Sequence, residues 1–325
     1  MNQKIRIGTR GSKLAMWQAQ FVATALQERG HHTEIVQIST LGDRVQDRFL
    51  HEIGGKGVFI REIEKQLIEG TIDLGVHSLK DIPAQLPASL AIVAYACRHA
   101  VEDVLVLPEV PRRIPLLATD RLNVESLAAL GAVTIATGSL RRQNLLSSAS
   151  AQVTLEPIRG NVDTRLRKLE EHLEWDALIL ARAALERLQL PARQRMIPLD
   201  PAWFVPSPCQ GILGLEMNVH NPWAAEVAAA LNHRETARFA QVERQVLSLL
   251  GADCELPVGV HAYSCGTEIA CDAVVLATAG RTARAKVTLA SSQVENLPRL
   301  VVEALFDNGL KQVMQALGLP CPQLE

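Results

Sequence analysis

No apolar run in this 325-residue chain is longer than the eight residues Leu90–Cys97. A membrane-spanning helix needs roughly 20, so no membrane partner is expected. The opening, MNQKIRIGTRGS, has neither an apolar core nor a small-residue cleavage site, which argues against secretion. Bulk positive charge is missing too. The 33 basic and 35 acidic residues leave a net charge of −2, which disfavours an electrostatic grip on nucleic acid. The six cysteines include no CxxC pair, and no histidine sits at finger-like spacing, so no metal site is expected. With no leader, the expectation is a reducing cytoplasm and free thiols. Repeats and low-complexity tracts are absent. Gly54–Gly57 does not follow the G-x-x-x-x-G-K-[ST] order of a nucleotide loop.

Lysine is scarce: 8 Lys stand against 25 Arg. Two readings fit that imbalance. One is overall composition in a chain rich in Ala and Leu. The other is function, because the planar guanidinium fork binds carboxylate or phosphate in bidentate fashion. Position has to separate them.

The chain is 48% hydrophobic and 21% charged, enough apolar material for true cores and, at this length, for two or three domains. The first part alternates strand and helix. Strands are expected at 5–9, 34–39, 72–77 and 90–97, with helices at 12–29, capped by Ser12 and stopped by Gly30, and at 59–69. After Asp103 the alternation restarts: helix 123–130, strand 132–137, a helix from Ser139, strand 153–157, helix 161–173 capped by Asn161, and strand 177–181. Such alternation indicates α/β domains with largely parallel sheets. Beyond residue 232 the order becomes helix 236–250, strands 258–263, 269–277 and 284–289, then a largely helical 294–317. That is the pattern of a smaller α+β domain.

Four clusters carry chemistry. His77-Ser78-Leu79-Lys80-Asp81-Ile82-Pro83 follows a strand. Ligands in open α/β sheets sit beyond strand carboxyl ends, so Asp81 is a candidate acid or cation stabiliser; an exposed Lys-Asp loop is the plainer reading. Thr137-Gly138-Ser139-Leu140-Arg141-Arg142 turns a strand into a helix N-terminus, where backbone N–H groups point outward. Arginines there oppose the helix dipole, which favours a held anion, although a solvated basic turn is also open. Pro157–Lys168 repeats the arrangement with Arg159, Gly160, Asn161 and Arg165. Two arginine-loaded turns in one domain suit a polyanionic ligand. Finally, Cys254 lies on a loop between a helix and a strand, flanked by Asp253 and Glu255. Neighbouring acids raise a thiol's pKa, so an inert loop cysteine and a nucleophile both remain open.

Taken in order and at their spacing, these clusters closely resemble the porphobilinogen deaminase (hydroxymethylbilane synthase) family over nearly the whole chain. Thr9-Arg10-Gly11-Ser12-Lys13-Leu14-Ala15 with Gln18 is similar to its opening motif, and Gly54–Phe59 to its active-site loop. His77–Pro83, Ser139–Arg142 and Ile158–Leu169 resemble its most diagnostic stretches, and Cys254 with Pro257 and Gly259 its cofactor-attachment loop. The resemblance implies two α/β domains like type II periplasmic binding proteins with a central cleft, plus a smaller C-terminal α+β domain. The implied boundaries are 1–102 with 206–228, 103–205, and 229–325.

The resemblance also implies an activity: four porphobilinogen molecules are deaminated and joined head to tail, and hydroxymethylbilane is released by water. Each loses ammonia to give an azafulvene cation. A dipyrromethane, attached through Cys254, would serve as primer and cofactor. Carried over by matching positions, Arg10, Ser12, Lys80, Ser139, Arg141, Arg142, Arg159, Asn161, Arg165 and Arg187 would hold cofactor and substrate carboxylates. Asp81 and Lys80 are the implied catalytic residues; Asp81, also on the cofactor, would face the pyrrole nitrogens and relay protons, and Arg98 and Asp43 are weaker matches. A monomer is expected. The chain departs from the family pattern at Ala252-Asp253 (usually Gly-Gly), Cys209 (Gly), Met217-Asn218 (an Arg nearby), Gly138 (Ser), Ala184 (Gly) and His99–Asp103. These leave open an impaired paralogue that only binds small polycarboxylates. A phosphate-handling enzyme is a weaker alternative.

Overall fold

The computed structural model describes residues 4–40, 60–114, 121–189, 196–251, 256–277 and 280–323. Asp43, the glycine-rich stretch 54–59 and residues 252–255, Cys254 among them, lie outside the described residues. The chain divides into two compact units, Met1–His99 with Gln210–Ala240, and Ala100–Cys209 with Gln241–Glu325.

In the first unit, β1 (Ile5–Arg10), β2 (Thr33–Ile38), β3 (Leu74–Ser78), β4 (Leu90–Tyr95) and, from late in the chain, β10 (Leu213–Asn218) form one sheet in the order β2-β1-β3-β10-β4. β10 runs antiparallel to both its neighbours, whereas β1 is parallel to β2 and β3. Helix α1 (Lys13–Gln27) lays Ala15, Ala19, Val22, Ala23 and Leu26 on the sheet, a helical stripe facing Ile5, Ile7 and Leu215. Helix α2 (Arg61–Ile68) buries Ile63 and Leu67.

The second unit repeats the plan. Its strands are β5 (Asp103–Val106), β6 (Val133–Ala136), β7 (Val153–Glu156), β8 (Ala177–Ala181) and β9 (Met196–Pro198), ordered β7-β6-β8-β5-β9. Again one strand, β5, is antiparallel to both neighbours. Val104, Val106, Leu178 and Leu180 enter one core, while Leu105 and Ile179 enter another. A sheet buried on both faces selects continuous apolar runs rather than alternation. Helices α3 (Val124–Ala128), α4 (Leu140–Ala149), α5 (Val162–Glu171) and α6 (Arg182–Arg187) connect the strands.

The C-terminal part is an antiparallel sheet of β11 (Val258–Cys265), β12 (Glu268–Leu276) and β13 (Thr282–Ala290) with helices α9 (Leu297–Asp307) and α10 (Leu310–Leu317). Gly309, at φ 95°, breaks the last helical stretch in two. Helix α7 (Pro222–Ala229) lies in the first unit, and α8 (Arg234–Leu249) runs across the boundary at 240/241. No helix among the described residues is long and apolar enough to cross a membrane.

Sequence reading placed most strands and helices but left Asp103–Val106 and Leu213–Asn218 unassigned from pattern. These are the antiparallel members of the two sheets. Asp103–Val106 is short and buried on both faces, so it shows no period-two signal; Leu213–Asn218 does alternate, with Leu213, Leu215 and Met217 between Gly214, Glu216 and Asn218.

Candidate functional site

Strands β1 and β3 are adjacent and parallel, so the segments after Arg10 and after Ser78 leave the same carboxyl edge of the first sheet. Ser12 caps α1 in an extended conformation, and its Oγ accepts the Ala15 N–H at 3.2 Å. Beyond β3 comes a single 3₁₀ turn, Leu79–Asp81. Leu79 anchors it from below, 1% exposed, and its N–H donates to the Ile212 carbonyl at 3.0 Å. The buried Gln18 amide donates to Ser78 Oγ at 2.8 Å. With Leu79 facing inward, Lys80 is half-buried and Asp81 exposed. Lys80 Nζ donates to Gln210 Oε1 at 3.2 Å. Below the turn, His77 Nε2 lies 3.0 Å from Glu216 Oε2, both buried, at ion-pair distance but without hydrogen-bond alignment. Burial, and then the Glu216 charge, push the nearby Glu64 carboxyl up.

In the second unit, β6, β7 and β8 are parallel neighbours, and the turns after them share one sheet edge. Ser139 is the N-cap of α4, and its Oγ accepts the Arg142 N–H at 3.5 Å. Gly138 is explained by crowding. A Cβ there would lie 2.6 Å from the Ile158 carbonyl oxygen of the neighbouring turn. Gly138→Ser, which restores the family residue, is expected to cost about 1–3 kcal/mol through that clash, read as a lower unfolding midpoint. An unchanged midpoint would show that the Ile158 turn yields freely.

Arg141 and Arg142 are buried, at 5% and 6% exposure. Both bind one carboxylate, that of the fully buried Asp103: Arg141 Nη2 donates to Oδ2 at 2.6 Å and Arg142 Nη2 to Oδ1 at 2.7 Å. Their Nη1 groups donate to the Val205 and Ile179 carbonyls at 2.7 and 2.9 Å. Burial pulls the Arg141 pKa down, with Asp103 opposing and Arg142 adding to the fall. The unfavourable pairing of arginines with a helix N-terminus is therefore met by the protein's own anion. Sequence reading missed Asp103 because the strand that carries it was unassigned.

After β7, Gly160 takes φ 115°, open to glycine without strain. Asn161 occupies the N-cap of α5, but its side chain makes no capping bond. Arginine and lysine brace the turn instead: Arg165 Nε donates to the Gly160 carbonyl at 2.8 Å and Lys168 Nζ to that of Arg159 at 3.2 Å. Arg187, at the end of α6, is buried, which lowers its pKa to about 10 against the pull of Glu186. Arg10 and Arg159 are half-buried.

Among the departures, Asn218 ends β10 and donates from Nδ2 to the Leu67 carbonyl at 3.3 Å. Cys209 sits at φ 61°, a left-handed conformation that costs a side-chain-bearing residue about 1–2 kcal/mol. Nothing in the structure explains Ala184.

Two guanidinium donors in these turns, Nε of Arg142 and Nη1 of Arg159, are buried with no hydrogen-bond partner among the described residues. Charged N–H groups without acceptors fit a carboxylate-bearing ligand. Among the described residues no cluster of His, Cys, Asp or Glu is able to hold a metal.

Both five-stranded sheets carry a single antiparallel strand second from one edge. Turns that carry Arg141 and Arg142, and Arg159 and Arg165, follow β6 and β7 of the second sheet. Residues 5–226 match the family model described as porphobilinogen deaminase, dipyrromethane cofactor binding domain. The chain is 37% identical over 96% of its length to the porphobilinogen deaminase of Methylobacillus flagellatus, covering 96% of that protein. It is 34% identical to that of Pelobacter propionicus, covering 96% of this chain and 97% of the relative. The chain belongs to the porphobilinogen deaminase family. Among solved structures it is similar to the methionine-binding protein MetQ, with a TM-score of 0.41 and 11% identity, over 74% of this chain and 90% of that one.

Proposed function

We propose that this chain is a transferase of tetrapyrrole biosynthesis that deaminates four porphobilinogen molecules, joins them head to tail and releases hydroxymethylbilane. The observation that carries the reading is the family match across the two arginine-loaded turns, which hold cationic donors with no partner among the described residues. The dipyrromethane, attached through Cys254, supplies the tethered carbon to which each new pyrrole is joined. The protein's side chains do the rest. Every pyrrole brings two carboxylates, and Arg10, Ser12, Lys80, Ser139, Arg142, Arg159, Asn161, Arg165 and Arg187 hold them, while Arg141, whose Nη groups are taken by Asp103 and the Val205 carbonyl, holds Asp103 in place beside Arg142. Arg142 and Arg159 act through the N–H groups that have no acceptor among the described residues. Asp81, exposed beside Lys80 on a rigid turn, stabilises the cation left when ammonia departs. Its carboxylate oxygen takes the proton lost as the new bond forms. Three domains, 1–102 with 206–228, 103–205 and 229–325, acting as a monomer in the cytoplasm, complete the proposal.

Intact mass spectrometry tests it. The purified chain is expected to exceed its polypeptide mass by two linked pyrroles, and Cys254→Ser is expected to lose that excess. A wild-type mass that stays unmodified after incubation with porphobilinogen would overturn the priming step. The polycarboxylate-binding module would then be the better reading, with Ala252-Asp253 as the change that disabled attachment.

A further inference from the structure

We propose that His77 and Glu216 are positioning residues: as a buried pair they fix the register of β3 against β10, and that register sets the turn that presents Lys80 and Asp81. The inference rests on the reading that this turn acts on porphobilinogen.

The two strands meet with Gly214 opposite His77 and Glu216 opposite Gly75. His77 and Glu216 are therefore diagonal neighbours on one face, and each has a glycine directly across from it. The space so left lets the two side chains lean together, to 3.0 Å between Nε2 and Oε2. A Cβ at Gly75 would lie 2.8 Å from His77 Nε2, the atom that meets Glu216. One at Gly214 would lie 2.8 Å from Cδ1 of Leu79, the anchor of the turn. The pair is buried, and neither His77 Nε2 nor the Glu216 oxygens make an aligned hydrogen bond among the described residues. Such a pair is a costly route to stability, and specifying register is its best-attested use.

The rest of the sheet leaves that alignment open. Leu74 and Val76 of β3 enter the core beneath α1 together with Leu215 and Met217 of β10. A one-residue slip of β10 would turn its side chains to the other face, and this core excludes it. A two-residue slip keeps them in place. In one direction such a slip sets Glu216 opposite Asp73. In the other it sets Glu216 directly opposite His77, with no glycine across from either. The second neighbour of β10 supplies no regular ladder at this point, because the pairing with β4 shifts register between Leu215 and Glu216. In the observed register the Ile212 carbonyl accepts the Leu79 N–H at 3.0 Å, where the 3₁₀ turn Leu79–Asp81 begins. A two-residue slip would carry that acceptor about 7 Å along the strand.

The test is the double variant His77→Leu/Glu216→Leu in the full chain. Both polar groups go together, so the unfolding midpoint is expected to stay near that of the wild type. Turnover of porphobilinogen per mole of protein should fall roughly threefold or more while KM changes by less than about twofold, because molecules in the native register keep their site and the others lack it. Hydrogen exchange at the Leu79 amide should become about tenfold faster. Wild-type turnover with wild-type protection of Leu79 would overturn the proposal. A joint fall of midpoint and turnover with Leu79 protection unchanged would show a packing role only, and overturns it too. If the double variant does not fold, Glu216→Gln decides by the same exchange measurement, and unchanged protection of Leu79 rejects the register lock. Exchange needs no turnover, so a wild-type chain that does not consume porphobilinogen would remove the functional reading and leave the register claim to be decided separately.

Discussion

Asp81→Ala is expected to lower turnover of porphobilinogen by about 10²–10⁴-fold, the usual contribution of a positioned proton-transfer group. The fold should survive. Asp81 is exposed and closes a turn whose anchor is Leu79, buried beneath it. Its side chain makes no hydrogen bond or ion pair among the described residues, so its loss should change stability by no more than about 0.5 kcal/mol. Asp81→Asn separates charge from shape: it keeps an acceptor but cannot stabilise a cation by full charge or take up a proton, and it should fall nearly as far as alanine. The measurement is steady-state turnover beside the unfolding midpoint of each variant. Near-normal turnover in both variants would remove Asp81 from the mechanism, whatever the family pattern says.

The second large effect belongs to Asp103. Asp103→Ala would leave two buried guanidinium groups facing each other without their shared carboxylate. Removing one partner of a buried ion pair costs about 3–5 kcal/mol, and the repulsion between Arg141 and Arg142 adds to it. The expected result is a large fall in the denaturation midpoint or loss of soluble protein. A rescue distinguishes a charge effect from simple packing. Replacing all three members with apolar residues of similar volume should recover much of the lost stability, because it also removes the cost of burying the charges. It should not recover activity, since Arg142 supplies one of the unpartnered donors. Full stability in Asp103→Ala alone would mean that the arginines reach solvent or another acceptor once released.

How much of this was legible beforehand depends on the distance over which each feature is built. Ser12 was identifiable as a cap because a cap is a bond between a side chain and an N–H two or three residues away. Asn161 shows the limit of that logic: the position is right, but Arg165 and Lys168 brace the turn instead. Lys80 and Asp81 could be placed after a strand from local pattern, yet which of them would be half-buried depended on where Leu79 finds its core. The two arginines at the start of α4 signalled an anion. The carboxylate that meets them lies 38 and 39 residues back along the chain, on a strand too short and too evenly apolar to announce itself.

The sequence by itself determined the alternation of strands and helices, the turns loaded with arginine, and the family to which the order of motifs belongs, because each is written in neighbouring residues. Only the tertiary structure decided the partners. β5 and β10 enter their sheets against the direction of both neighbours, and their arrival sets Asp103 between two guanidinium groups and brings Gln210 to Lys80. Those contacts join residues remote in sequence, where local propensity carries no information. Burial made them obligatory: a charge or an amide taken out of water must find its partner wherever the fold supplies one.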